Sequence, residues 1–240
     1  MIVIERSNRF HESPRLFLKQ EEKREIKFLV LHHVQADSAD HAIEQFLQHE
    51  VSSHFLIDES GKIFELVEEN DVAYHAGTSF WAGVDGLNKN SIGIEFINSA
   101  PFEKKFSDAQ MKAGARLCQY LILKYNIAQK NIVGHCDIAY DKTTNLLDRK
   151  QDPSNLFDWE FMAKNAVGIF PKNCGEAALK SIKKTKEMLR DFGYRIINLN
   201  NEIDEEMLAL AIVFNRRFLN QNSNIWSEES QAILNQLVKN

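Results

Sequence analysis

Cysteine is scarce in this chain: Cys118, Cys136 and Cys174 are the only three in 240 residues, and none forms a C-x-x-C pair. An odd, sparse set does not make a disulfide framework, and it leaves any metal site to histidine and carboxylate. Positive charge is not in excess either. A net charge of −5 and an isoelectric point near 5.9 argue against a general nucleic-acid binder. The short run Lys180, Lys183, Lys184 and Lys186 reads as a solvated helix face. No apolar run reaches the length of a membrane span, so no transmembrane segment is expected. The start, Met1-Ile2-Val3-Ile4-Glu5-Arg6, lacks a basic stretch followed by an apolar one, although a chain trimmed of a leader would read the same way. The helical His-Glu-x-x-His motif of the commonest zinc proteases is missing, as are internal repeats and low-complexity tracts. What remains, 44% hydrophobic and 26% charged, suffices for an ordinary core.

Against this background, three segments each offer one metal ligand: Leu31-His32-His33, Val133-Gly134-His135 and Lys150-Gln151-Asp152-Pro153. Two imidazoles and a carboxylate leave a tetrahedral zinc ion one free position, the layout of a catalytic rather than a structural site. Between them, Ser91-Ile92-Gly93-Ile94-Glu95 is a strand-like run ending in a carboxylate able to handle protons. Metal, base and the neighbouring Lys150 together point to metal-assisted hydrolysis.

The pattern along the chain is that of an α/β protein. Ile26 to Val34 is an apolar, branched run, a buried strand with His32 and His33 at its C-terminal end. Alternation turns His33 to the opposite strand face from His32, and likewise turns Cys136 away from His135. Asp40 to Glu50 has helical periodicity. Ser53 to Ile57 and Lys62 to Val67 flank a glycine turn as a hairpin. Glu69 to Lys89 is a long loop carrying His75, Phe80 and Trp81. Ser91 to Asn98 is a strand, Ser107 opens a helix as a capping box with Gln110, and Ile132-Val133 is a short strand delivering His135. Phe157 to Asn165 is a short helix. Near Pro171-Lys172-Asn173 the character changes, and helices are expected over about Gly175 to Asp191, Asp204 to Asn220 and Ser227 to Lys239. The division is therefore 1–171 and 172–240, a mixed central sheet flanked by helices followed by a small three-helix domain.

The ordered motifs Leu-His-His, Ser-His-Phe, His-Ala-Gly, Ser-Ile-Gly-Ile-Glu, Val-Gly-His-Cys-Asp and Lys-Gln-Asp-Pro resemble those of the zinc-dependent N-acetylmuramoyl-L-alanine amidases. These are the type 2 amidases related to phage amidase-lysozymes and peptidoglycan recognition proteins. The resemblance covers roughly residues 12 to 171. Leu189-Arg190-Asp191-Phe192-Gly193-Tyr194 and Ala211-Ile212-Val213-Phe214-Asn215 look like the helical peptidoglycan-binding domain that follows some of these amidases.

The resemblance implies one Zn2+ per chain on His32, His135 and Asp152, with Glu95 and Lys150 catalytic and His75 and Asn90 at the substrate. His54 belongs to the fold. Two departures stand out: Ser154 follows Pro153 where the family usually has glycine, and Asp141 to Leu147 looks like an insertion, which makes Asp137 and Asp148 rival carboxylates. The implied reaction is hydrolysis of the amide between N-acetylmuramic acid and L-alanine in peptidoglycan or muropeptides. The alternative is a non-catalytic peptidoglycan-recognition protein. A bacterial setting follows, with the C-terminal module favouring the periplasm or cell envelope and the lack of a visible leader favouring the cytoplasm.

Overall fold

The computed structural model describes residues 3–6, 16–172 and 174–239. Met1, Ile2, residue 12 where the resemblance begins, and Asn173 at the change of character lie outside them. In chain order the elements are β1 (Ile4–Arg6), β2 (Phe17–Leu18), β3 (Phe28–Val34), α1 (Ala39–Gln48), β4 (Phe55–Ile57), β5 (Ile63–Glu65), β6 (Val72–Ala73), β7 (Phe80–Trp81), β8 (Val84–Asp85), β9 (Ser91–Ile97), α2 (Asp108–Tyr125), β10 (Ile132–Gly134), α3 (His135–Ile138), α4 (Trp159–Lys164), α5 (Ile182–Phe192), α6 (Glu205–Leu219) and α7 (Glu228–Leu237). Six strands form one mixed sheet in the order β1-β5-β4-β9-β3-β10. Pairing is parallel everywhere except in the β4–β5 hairpin.

Strand alternation sorts the core. On one face Leu29 and Leu31 of β3, Ile92, Ile94 and Phe96 of β9, and Ile132 of β10 pack with Met111, Leu117 and Leu121 of α2. On the other face Phe28, Val30 and Val133 meet Leu189, Phe192, Leu210, Phe214 and Leu234 of α5, α6 and α7. The expected boundary at residue 171 thus runs through a shared apolar cluster: the C-terminal helices cover sheet surface that would otherwise face water. Helix α1 closes the remainder, burying Ala42, Ile43 and Phe46 against Val34, Leu56 and Ile97.

Caps set the helix ends. The Ser107 side chain accepts from Gln110 N, and α2 ends at Asn126 in the left-handed region, φ 53°. The expected capping box is only half formed, because the Gln110 amide instead donates to the carbonyls of Ile57 and Ile97, at 2.9 and 2.8 Å, tying α2 to β4 and β9. Helix α5 starts at Ile182 rather than near Gly175. Ser181 caps Lys184 N there, and the preceding segment is drawn away by a hydrogen bond from Ala177 N to Glu228 O.

Candidate metal centre

Register explains why the chemistry gathers where it does. His32 pairs with Glu95 across the β3–β9 ladder, and Gly134 pairs with Leu31 across β10–β3. His135 therefore emerges one residue past β10, beside His32, with ring centroids 4.6 Å apart. The loop from β10 returns Asp152 to the same point. Cys136 N donates to Asp152 O at 2.7 Å, which fastens the two ligand-bearing segments together. A Cβ on Gly134 would stand 3.0 Å from Pro153 Cδ, a tight approach that would need its neighbours to shift by a few tenths of an ångström.

One donor atom each from His32, His135 and Asp152 lies within 4.8 Å of the others. His32 Nδ1 and His135 Nδ1 sit 3.1 and 3.0 Å from Asp152 Oδ2. The outer nitrogens decide the tautomers. His135 Nε2 is 3.2 Å from the Ala76 carbonyl, which can only accept, so this nitrogen carries the hydrogen. Ser91 Oγ donates to Leu87 O at 2.8 Å and so accepts from His75 Nε2 at 3.1 Å. His75 Nδ1 then accepts from His32 Nε2 at 3.0 Å. In their neutral forms both ligand histidines consequently turn an Nδ1 lone pair toward the carboxylate oxygen. Three electron-rich atoms at this spacing could hold a cation, and two imidazoles with a carboxylate are a donor set that suits zinc.

Burial pushes His32 down to about 4, which keeps its ring uncharged near neutrality. Burial would raise Asp152, but positive charge and N–H donation from the His135 and His32 rings hold the carboxylate well below its usual range when those rings are protonated; with both rings neutral, a bound cation would take over that role. Glu95 is buried, with Oε1 3.9 Å from His32 Nδ1, and its Oε2 has no hydrogen-bond partner among the described residues. Burial first, then the Asp152 charge, raises the Glu95 carboxyl, while the Lys150 charge pulls it back. Lys150 is exposed and its charge acts on both Glu95 and His32.

Other expected site residues are placed differently. His75 does not line an open cleft; it is buried behind His32, resting on Gly93, where a Cβ would come within 2.5 Å of the ring. Asn90 is not brought to the cluster, since it precedes β9 at the end away from Glu95 and its amide donates to Glu25 O at 3.0 Å. The asparagine that reaches the His75 segment is Asn88, whose Oδ1 accepts from His75 N and Ala76 N. His54 belongs to the fold, accepting from Gly93 N on Nδ1. His33 accepts from Ser154 N at 3.2 Å, and Ser154 Oγ donates to Pro101 O, so the residue that replaces glycine is itself tethered. Asp137 and Asp148 point elsewhere: Asp137 accepts from Gly134 N and Asp148 pairs with Arg216. Trp81 packs against Phe192 and Tyr194.

Fold and donor set together define an α/β protein with a candidate metal centre at the carboxyl ends of parallel strands. Within that class, the chain belongs to the N-acetylmuramoyl-L-alanine amidase family, whose model matches residues 22–155. It is 36% identical over 160 residues to the N-acetylmuramoyl-L-alanine amidase AmiD of Escherichia coli, covering 61% of this chain and 55% of that protein. It is 39% identical over 117 residues to the 1,6-anhydro-N-acetylmuramyl-L-alanine amidase AmpD of Haemophilus influenzae, covering 48% and 59%. By sequence, the chain therefore spans just over half the length of these curated relatives. The solved complex of E. coli AmiD with anhydro-N-acetylmuramic acid-L-Ala-D-gamma-Glu-L-Lys superimposes with a TM-score of 0.76 and 29% identity, over 92% of this chain and 91% of that one. AmpDh3 of Pseudomonas aeruginosa, solved with an anhydromuramic pentapeptide, gives 0.77 and 26% over 90% and 92%.

Proposed function

We propose that the protein is a zinc-dependent amidase that cleaves the bond between the lactyl carbonyl of N-acetylmuramic acid and L-alanine in peptidoglycan or its fragments. The observation that carries this reading is the convergence of two Nδ1 lone pairs and the Asp152 carboxylate beside a buried, unpartnered Glu95 oxygen. His32, His135 and Asp152 would hold one Zn2+. When bound, that ion supplies Lewis-acid polarisation of the amide carbonyl and lowers the pKa of a water to about 7.

The remaining steps belong to the chain's own groups. Glu95, with its proton affinity raised by burial, takes a proton from the attacking water as the C–O bond forms. It returns that proton to the L-alanine nitrogen as the C–N bond breaks, so the products are a muramyl carboxylic acid and a free amine, and the acid then gives its remaining proton to the amine or to solvent. Lys150 places its ammonium toward the negative charge that develops on the carbonyl oxygen. His75, Ser91 and the Leu87 carbonyl hold the His32 ring in one tautomer, as neighbours of metal-bound histidines generally do.

The muropeptide class is supported by the named substrates of the AmiD and AmpDh3 complexes. Their structural match extends over at least 90% of this chain, so it includes α5 to α7, to which we assign a wall-binding role in the bacterial cell envelope on the strength of the sequence resemblance of this segment. No helix among the described residues is long and apolar enough to cross a membrane. The test is mass spectrometry of soluble muropeptides incubated with the protein, with and without a chelator. Release of stem peptide with a new L-alanine amine, lost on chelation and restored by zinc, is expected. Intact muropeptides in the presence of bound zinc would instead make the protein a recognition module.

A further inference from the structure

Two arginines of α6 are buried beside this site, and none of the chemistry above uses them. Arg216 and Arg217 are 3% and 4% exposed, an environment in which a guanidinium depends on ion pairs and hydrogen bonds, although Arg217 Nη1 has no hydrogen-bond partner among the described residues. Arg216 Nη2 donates to Asp148 Oδ1 at 2.8 Å and Nε to Asn222 Oδ1 at 2.8 Å, and Nη1 reaches the Lys150 carbonyl at 3.5 Å. The Arg217 guanidinium carbon stands over the Trp159 ring, 3.1 Å from its centroid, and Nη2 donates to Ile132 O at 3.2 Å. Its Nε is 3.8 Å from Asp137 Oδ2, the oxygen that accepts from Gly134 N at 2.7 Å. Asp137 Oδ1 in turn accepts from Tyr194 Oη.

These contacts bracket the ligand-bearing loop. Arg217 braces the strand end and turn that present His135. Arg216 holds Asp148 and the Lys150 backbone, which lead into Asp152. Asp148 is a non-glycine residue at φ 71°, a conformation that has to be held by its surroundings. A guanidinium offers five donors in a rigid fork and so can fix several groups at once, which an ammonium cannot. We propose that Arg216 and Arg217 are positioning residues that lock the 134–153 loop, so that the C-terminal helical segment frames the metal centre besides any role in binding polymer.

The inference rests on reading His135 and Asp152 as zinc donors. The experiment measures the zinc dissociation constant by chelator competition, together with kcat and KM on a soluble muropeptide, for the full-length chain and for Arg216→Ala, Arg216→Lys, Asp148→Asn and the Arg216→Ala/Asp148→Asn pair. Zinc binding weakened about 10- to 100-fold is expected for Arg216→Ala and Asp148→Asn, with kcat reduced, KM nearly constant and only partial recovery in Arg216→Lys. The pair should be no worse than Arg216→Ala alone, since Arg216→Ala already removes the Arg216–Asp148 contact that Asp148→Asn weakens. Zinc affinity and kcat within twofold of the parent in folded variants would overturn the proposal. If Arg216→Ala does not fold, Asp148→Asn, a partly exposed loop carboxylate, decides the matter alone. Absence of zinc binding by the parent chain would remove the metal reading itself, a result distinct from an unaffected variant.

Discussion

At the scale of single residues, the site is a matter of which nitrogen carries a proton. Glu95→Gln keeps the shape of the buried side chain and removes its basicity. It should lower kcat about 100- to 10,000-fold, the usual contribution of a general base, while zinc stoichiometry stays at the parent value; unchanged turnover would remove Glu95 from the mechanism. His75→Ala should leave the ligands in place but free the His32 ring to rotate and change tautomer. Zinc affinity is expected to fall about 10- to 100-fold, and an unchanged affinity would show that the hydrogen-bond chain to Ser91 is decorative. Strand alternation separates His32 from His33 onto opposite faces, because a period of two fixes which face each side chain meets, but the choice of His32 rests on the family resemblance, since both faces of the strand are apolar. The place of His75 could not be read from periodicity. It depends on the loop after β6 folding over Gly93, and the one trace of this in the sequence is a glycine interrupting an otherwise branched strand.

At the scale of elements, the long strands and α2 follow directly from apolar periodicity and Ser caps. The lysine run of α5 does not behave as composition suggests. Lys186 is fully buried and pairs with Asp204 and Glu206 at 2.8 and 3.2 Å, because the α5–α6 connection wraps over it; a charge count along one helix cannot register that later segment. Asp204 would be raised by burial, but hydrogen bonds from Lys186, Met207 N and Asn200 hold it below its ordinary value. A lowered folded-state pKa stabilises fully above the unfolded value, about 3.9, and the gain is lost as pH falls through the folded value. The parent should therefore exceed Asp204→Asn in stability at pH 6, with the gap narrowing below about pH 4 in urea titrations. A gap that persists unchanged into acid would contradict this pairing.

At the scale of the whole molecule, the division at residue 171 is visible as a change in sequence character, and a buried apolar cluster spans it. Phe28, Val30 and Val133 on the sheet and Leu189, Leu210 and Phe214 on the helices are one buried cluster. Each half looks self-sufficient in sequence because each has its own periodicity, and periodicity does not say what an apolar face packs against. A chain ending at residue 171 would expose this face and lose Arg216 and Arg217. It is expected to aggregate or unfold at lower temperature than the full chain, as read by calorimetry and solubility, and to bind zinc more weakly. A soluble fragment with parental zinc affinity would restore the simple picture of a tethered module. The measurement closest to the heart of the matter is zinc K-edge X-ray absorption on the stoichiometrically loaded protein. One zinc per chain with two imidazoles and otherwise oxygen donors is the expected result, whereas a sulfur ligand from Cys136, or no tightly held zinc at all, would contradict it.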